Sequence, residues 1–403
     1  DDGVLLSNLG NVLKEQNRIE ESAEAQRKAL ALSPDYAEGH SNLGNTLVSQ
    51  GKLDEAIEHF ERALALNPDL IEVRSNYAKA LLQSGRFQDG WREYRVRWDW
   101  KGYGVIFRRT LKQKRWEGES LDGKSILVWD EQGIGDEIIY ANTFPDLLDR
   151  AKEVFVECEP RLVPLFERSF PGIQAIARDT PPNATLSHPD IDYQIAAGDL
   201  CQFLRPNLES FPKHTGYFKP DPQTVSRLRK RYLELGKNKF VVGINWKSGN
   251  SYVTNKNSAE LEHWKPVLSC EDCYFVNLQY GDVKPILGSF KDATGIQVYH
   301  DDEVDPLENM DLFAAQIAAM DLVISIDNST AHVAGAIGVP VWTLLFAAPD
   351  WWWMHNRDDS YLYPSMKLIR QKKHGDWEPV FATAGVNLRT LIKSTDTVKM
   401  VKN

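Results

Sequence analysis

Ser7-Asn8-Leu9-Gly10-Asn11 recurs as Ser41-Asn42-Leu43-Gly44-Asn45 and, more loosely, as Ser75-Asn76-Tyr77-Ala78-Lys79, a step of 34 residues each time. Leu13, Leu47 and Leu81 keep that step, as do Ala29 with Ala63 and Pro34 with Pro68. A fixed step of this size marks an array of small units, each packing on its neighbours. Within a unit, Ala56, Phe60, Ala63 and Leu64 fall at spacings of three and four, the signature of one apolar helix face. Small residues recur where two helices would cross, and Pro closes the unit. The pattern predicts helical hairpins stacked into a solenoid over residues 1–100. The third unit decays: Arg97 stands where Ala63 stood and Gly102 where Pro68 stood, and Trp91, Trp98 and Trp100 gather there. Such an aromatic end is expected to dock on the next part of the chain.

The unit resembles the tetratricopeptide repeat, whose solenoids bind peptides on a concave face. The chain begins without Met and within a repeat, so further repeats are expected before residue 1. Asn8, Asn42 and Asn76 occupy one position of successive units, with Asn11 and Asn45 one helical turn later. An amide offers both a donor and an acceptor, so a ladder of them suits an extended peptide backbone. The same amides could instead satisfy backbone groups between repeats.

Beyond a connector expected at 101–120, with Lys112, Lys114, Arg115 and Trp116, the periodicity changes. Ser125–Trp129 reads as a buried strand, followed by Glu131-Gln132-Gly133-Ile134-Gly135-Asp136 and a helix. Short strands are expected near 154–156 and 173–176. After a Pro-rich passage from Pro206 to Pro222, strands follow near 240–246, 274–278, 322–326 and 339–344. Strands alternating with helices predict doubly wound parallel sheets. The expected layout is an α/β pair of Rossmann-like domains, 121–222 and 223–375, with a cleft between them and a C-terminal helix over 376–403. That last segment, with Trp377, Leu388, Leu391 and Ile392, is expected to brace the first of the two domains.

Bulk properties exclude some classes. A 403-residue chain with 42% hydrophobic and 26% charged residues is that of a globular protein. A net charge of −10 argues against a general nucleic-acid binder, which needs a basic face. No apolar run reaches the roughly 18 residues that span a bilayer, and no signal peptide is visible. The four cysteines, Cys158, Cys201, Cys270 and Cys273, fit a reducing cytoplasm. Cys270 and Cys273 form a CxxC, but no second ligand pair completes a zinc site. The acidic neighbours Glu271 and Asp272 oppose a reactive thiolate, so two buried thiols in a turn are expected.

Three loops carry candidate chemistry. In the first, Gln132, Gly133 and Gly135 let backbone approach a ligand, and Asp136 is either a helix cap or a base. In the second, Asp327-Asn328-Ser329-Thr330-Ala331-His332 ends a strand and opens a helix, where N–H groups and hydroxyls suit a phosphate. The third, Asn245-Trp246-Lys247-Ser248-Gly249-Asn250, also follows a strand, and Lys247 is either a diphosphate countercharge or a surface lysine. Trp351-Trp352-Trp353 could stack on a sugar or pack between domains. Asp301-Asp302-Glu303 reads as a solvated acidic turn rather than a metal site.

Residues 116–346 resemble two-domain (GT-B) glycosyltransferases related to the lipopolysaccharide heptosyltransferases. The resemblance rests on Gly135-Asp136 after the first strand and on Asp327-Asn328-Ser329-Thr330-Ala331-His332-Val333-Ala334 late in the chain. The overall layout is similar to the O-GlcNAc transferases, which also join tetratricopeptide repeats to a transferase. The resemblance implies Asp136 as the base that deprotonates an acceptor hydroxyl. It assigns Gln132, Gly133, Gly135, Lys247, Ser248, Gln279, Asp327, Asn328, Ser329, Thr330 and His332 to the sugar-nucleotide donor. Asn8, Asn42 and Asn76 would hold the acceptor. Heptosyltransferases usually carry Thr-Gly where this chain has Asn328-Ser329, so the sugar could differ. The expected activity is an inverting, metal-independent transfer from a nucleotide diphosphate sugar to a protein or peptide acceptor. It uses no cofactor and no metal, and the expected location is the cytoplasm. Two other readings are a degenerate transferase serving as a peptide-binding scaffold, and a nucleotide-sugar epimerase.

Overall fold

The computed structural model describes residues 2–100, 109, 111–179, 183–248, 259–355 and 357–402. Residues 101–108 and 110 of the expected connector, Gly102 among them, as well as Gly249 and Asn250, lie outside them. The chain divides into two units. One comprises residues 1–110, 198–211 and 347–357; the other comprises 111–197, 212–346 and 358–403.

Six helices form the repeats of the first unit: α1 Asp2–Glu15, α2 Ile19–Leu32, α3 Ala37–Ser49, α4 Leu53–Leu66, α5 Ile71–Gln83 and α6 Phe87–Tyr94. Their core is Leu43, Leu47, Ala56, Ile57, Phe60, Ala63, Val73, Ala80 and Leu81, the positions that carry the repeat. The small residue of each unit lies where paired helices cross. A Cβ on Gly10 would come within 2.5 Å of Gln26, and one on Gly44 within 2.7 Å of Phe60. The same position, one step on, is the fully buried Ala78.

The aromatic end of the array docks as expected, with segments that return from far along the chain. Trp91 donates from Nε1 to the Arg205 carbonyl at 2.8 Å and meets Trp351 edge to face at 5.1 Å. Arg97 is buried, paired with Asp199 at 2.7 Å and stacked between the rings of Tyr94 and Trp98. Trp98 donates to the same Asp199 at 3.2 Å, whereas Trp100 remains half exposed. Trp351 and Trp353 are buried, so within this unit the tryptophan run serves packing.

The second unit holds two parallel five-stranded sheets. The first has the order β1-β5-β2-β3-β4, with β1 Lys114–Arg115, β2 Ser125–Trp129, β3 Glu153–Cys158, β4 Ile173–Ala177 and β5 Tyr193–Ala196. The second has the order β10-β9-β8-β6-β7, with β6 Phe240–Asn245, β7 Cys273–Asn277, β8 Leu322–Ile326, β9 Val341–Leu345 and β10 Met366–Arg370. The longer helices between them are α7 Ile134–Tyr140, α8 Val163–Ser169, α9 Pro222–Leu235, α10 Lys284–Thr294, α11 Met310–Ala318 and α12 Ser329–Ile337. A last helix, α13 Glu378–Lys402, closes the chain. Part of the segment read as connector thus joins the first sheet, because Lys114 and Arg115 pair with Tyr193 and Gln194.

Helix α13 does not brace the first sheet. Trp377, Val380, Phe381, Ala384 and Leu388 pack into the second sheet's own core with Trp264, Val267 and Leu268. The Pro-rich passage is equally well seated. Tyr217 and Phe218 N–H groups both donate to the Ala336 carbonyl near the end of α12, at 2.7 and 2.9 Å. Gly338, at φ +89°, makes that approach possible, since a Cβ there would sit 1.6 Å from the Thr215 oxygen. Across the two sheets, Arg168 of α8 forms a two-pronged ion pair with Asp311 of α11 at 2.5 and 2.7 Å. Among the described residues no helix is long and apolar enough to cross a membrane.

Helix α12 lies against the buried ring of Tyr363, and Gly335 leaves room for it: a Cβ there would fall 2.4 Å from the ring's Cγ. Gly335→Ala is expected to lower stability by about 1–3 kcal/mol through overpacking, read from the urea midpoint. An unchanged midpoint would show that the ring can step aside.

Candidate active site

In a doubly wound sheet the ligand crevice opens where the strand order reverses. In the second sheet that point lies between β6 and β8, adjacent strands whose connections run to opposite sides. The loop after β6 carries Lys247 and the loop after β8 carries Asp327–His332. In the first sheet the reversal lies between β2 and β5, and the loop after β2 leads through Gln132 and Gly133 to Asp136. All three loops singled out from sequence therefore sit at switch points.

The second-sheet loops are held by a buried amide network. Asn245, fully buried at the end of β6, donates from Nδ2 to the Leu278 carbonyl and to Thr330 Oγ1, both at 3.0 Å. Its Oδ1 accepts from Asn328 Nδ2 at 2.6 Å. Asn328 caps α12, accepting the Thr330 N–H at 3.0 Å, and reaches the Lys247 carbonyl at 3.4 Å. Gln279 Oε1 accepts the N–H groups of Trp246 and Lys247 at 3.2 and 2.7 Å.

These bonds divide the expected donor residues. Asn328, Thr330 and Gln279 hold the loops in place with the groups that were expected to face a ligand. Fewer first-turn N–H groups are open than expected, because those of Thr330, Ala331 and His332 all bond Asn328. Ser329 is half buried, and among the described residues neither its N–H nor its hydroxyl has a protein acceptor. Lys247 has an exposed side chain that pairs with no carboxylate among the described residues. Ser248 and Asp327 are partly buried beside them.

His332 is 3% exposed, and burial pushes its pKa down to about 3, so the ring is neutral at ordinary pH. Its Nδ1 lies 3.1 Å from the Tyr363 hydroxyl and its Nε2 lies 4.0 Å from Asp327 Oδ1. A neutral imidazole adds no positive charge for a phosphate. Tyr363 was outside the expected site, and Asn245 opened the third loop without being given a role. An Asn ending an apolar strand was the available signal for the second, and nothing local marked the first.

On the first-sheet side, Asp136 Oδ2 accepts the Gly133 N–H at 3.2 Å, so the capping role is present. Gln132 has φ +66°, an uncommon conformation for a residue with a side chain. Its amide contacts Glu131 and Tyr140, each at 3.3 Å. A Cβ on Gly135 would lie only 3.6 Å from the His332 ring, so the start of α7 faces the start of α12 across the cleft. Behind α7, Arg178 binds Asp130 and Glu159 and stands 3.9 Å from the buried Glu137.

Two other expectations are decided here. Cys270 and Cys273 are both buried, and burial with a bond to Cys270 raises the Cys273 thiol, leaving it unreactive. The acidic turn is not simply solvated. Asp301 is buried against both guanidinium and phenol, 2.9 Å from Arg231 and 2.8 Å from the Tyr232 hydroxyl. Glu303 pairs with Arg227 and Arg231, and Asp302 with Lys284 at 2.8 Å. Of the repeat asparagines, Asn8 is exposed and Asn42 and Asn76 are half buried. Asn42 donates to Ser7 Oγ of the preceding unit at 3.0 Å, and Asn11 accepts from Gln26 at 3.3 Å.

Family profiles described as tetratricopeptide repeat and TPR repeat match residues 37–70 and 10–51. Protein FlbA of Caulobacter vibrioides is 32% identical over 320 residues, which is 76% of this chain and 53% of that protein. The chain thus spans about half the length of the curated relative it matches. Among solved structures, the E. coli ADP-heptose LPS heptosyltransferase II matches at 13% identity with a TM-score of 0.51, covering 68% of this chain and 99% of that one. A glycosyl transferase family 9 protein from Veillonella parvula matches at 14% identity and TM-score 0.45, covering 70% and 98%. At such identity the likeness is one of fold. The chain joins tetratricopeptide repeats to a GT-B glycosyltransferase fold of the heptosyltransferase type.

Burial, with Asp130 adding to it, pushes Glu137 up to about 8 from its ordinary 4.5. The folded state therefore holds a proton that the unfolded state has lost, and stability falls as pH rises from 4.5 to about 8. Glu137→Gln, which can still accept the Glu159 N–H, should flatten that slope. Urea melts should come close to the parent at pH ~5 and favour the variant by on the order of 4 kcal/mol above pH ~8. Parallel pH curves would show that the carboxyl ionises freely in the fold.

Proposed function

We propose that this protein is an inverting, metal-independent glycosyltransferase that moves a sugar from a nucleotide diphosphate sugar to a protein or peptide acceptor held by the repeats. The observation that carries the reading is the approach of α7 and α12 at the two switch points of a GT-B fold, with Gly135 against His332. In-line displacement needs a base on one side of the sugar and charge stabilisation of the leaving diphosphate on the other. Asp136 supplies the base and deprotonates the acceptor hydroxyl. Lys247, with the N–H and hydroxyl of Ser329, receives the diphosphate, while Asp327 and His332 face the sugar. Asn245, Asn328, Thr330 and Gln279 keep those groups in register. A carboxylate that caps a helix is stabilised as the anion, which weakens it as a base. The Asp136 cap bond is long at 3.2 Å, and this limits that cost.

Asp136→Asn retains shape and an acceptor for the Gly133 N–H but removes the base. Its kcat should fall about 10²–10⁴-fold with donor affinity kept. Lys247→Ala should weaken nucleoside diphosphate binding by about 1.5–3 kcal/mol, the scale of a lost charged hydrogen bond. Both are read by transfer assays and calorimetry across a panel of nucleotide sugars, with and without EDTA. Near-normal turnover in Asp136→Asn would return that residue to capping alone. Activity lost in EDTA and restored by Mn²⁺ or Mg²⁺ would sink the metal-free mechanism. Donor binding without any transfer would favour the scaffold reading, and sugar interconversion without acceptor would favour the epimerase.

The acceptor role of the repeats is tested at Asn42 and Asn76. Asn42 keeps hydrogen-bonding capacity beyond its bond to Ser7. Changing both residues to Ala should raise KM for a protein acceptor severalfold and leave hydrolysis of the nucleotide sugar unaltered. Earlier melting with normal acceptor binding would make the ladder structural.

A further inference from the structure

The last turn of an α-helix leaves four carbonyls without an intrahelical partner. Tyr217 meets such carbonyls on both of the facing helices. Its N–H donates to the Ala336 carbonyl in the last turn of α12, and its hydroxyl donates to the Ile138 carbonyl in the last turn of α7, each at 2.7 Å. The same helices carry the candidate chemistry in their first turns, Asp136 on α7 and Ser329 and His332 on α12. Gly135 approaches His332 at those first turns, and Tyr217 joins the two helices at their other ends. The backbone and the ring both stiffen this tie. Gly216, at φ +133°, lets the linker press on the end of α12, where a Cβ would fall 2.2 Å from the Ile337 oxygen. The Tyr217 ring is buried, with Phe170 at the end of α8 stacked 6.3 Å away and Tyr363, just before β10, at 6.4 Å. Only two side-chain torsions separate the bonded N–H from the bonded hydroxyl, so a packed ring on a fixed backbone holds that hydroxyl in place.

We propose that Tyr217 is a positioning residue: its two bonds fix the separation of α7 from α12 and so hold Asp136 at working distance from the donor-side turn. A misplacement of about 1 Å at a reacting centre costs on the order of 10²-fold in rate, so one hydrogen bond remote from the chemistry is enough to matter. The catalytic consequence rests on the proposed transferase function; the brace does not.

Tyr217→Phe removes one hydroxyl and keeps the ring and the N–H bond to Ala336. The separation of the two halves is read on the full chain by double electron–electron resonance between spin labels at Glu167→Cys and Asp292→Cys, exposed positions on α8 and α10. The four native thiols are buried and leave the labels to the introduced ones. The parent should give one narrow distance distribution, and Tyr217→Phe a broader one displaced toward longer distances. Gly216→Ala, which pushes the linker off α12 and leaves the hydroxyl in place, should broaden it as well. In transfer assays the kcat of Tyr217→Phe should fall about tenfold while KM for the nucleotide sugar stays within about twofold, the split expected when geometry in the transition state is lost and ground-state binding is not. Distance distributions that match the parent in both variants overturn the proposal, as does an unchanged kcat in Tyr217→Phe. Should the parent transfer no sugar at all, the transferase reading fails, and the spin-label distances still decide the brace.

Discussion

One buried amide organises the strand ends of the second sheet. Asn245 ends an otherwise apolar strand inside a low-dielectric core, where an unpaired amide costs several kcal/mol. It avoids that cost by bonding Leu278, Thr330 and Asn328, which belong to the segments following β7 and β8. Three strand ends are thereby locked to one another, and their exposed groups inherit fixed positions. A fully satisfied buried network rigidifies its surroundings, whereas a partly satisfied one destabilises them. Ser329 and Lys247 can stay open toward solvent because their neighbours carry the structural bonds.

How much of this was legible in the sequence depended on periodicity. The repeat of Leu43, Phe60 and Ala63 at constant spacing foretold the solenoid core, and the apolar runs at 125–129 and 322–326 foretold central strands. Strands β5 and β10 were not foreseen. Tyr193-Gln194-Ile195-Ala196 carries a polar residue mid-strand, and Met366-Lys367-Leu368-Ile369-Arg370 is an edge strand mixing charge with apolar residues. Short or edge strands lack the sustained apolar pattern that marks central ones. The destination of α13 was also misjudged, because an apolar helix face does not say which core it will join.

Within the site, residues on strand-end loops were visible and their supports were not. Asp136, Lys247 and Ser329 stand in short motifs with glycine and hydroxyl neighbours. Tyr217 and Tyr363 are single residues in irregular segments, 146 residues apart, and only the fold brings their rings to 6.4 Å. The same blindness explains why Asn328, Thr330 and Gln279 read as ligand contacts. A side chain that caps a helix and one that binds a phosphate look identical until the acceptors are known.

The two sides of the cleft differ in charge, and the difference matters for any anionic substrate. At α7, Asp130, Glu137 and Glu159 crowd around Arg178, which is already committed to Asp130 and Glu159. One of these acids, Glu137, keeps its proton to about 8 in that setting. A diphosphate brought to this side would add charge where charge is already suppressed. Across the cleft stand an exposed lysine, a half-buried serine at a helix start and a histidine kept neutral by burial. Lys247 and Ser329 are groups of the kind that suit an anion, and the neutral His332 beside them adds no charge. Under the transfer proposed above, the first side would face the acceptor and the second the departing diphosphate. This asymmetry exists only in the folded chain, where Glu137 is buried among acids and Lys247 stands exposed.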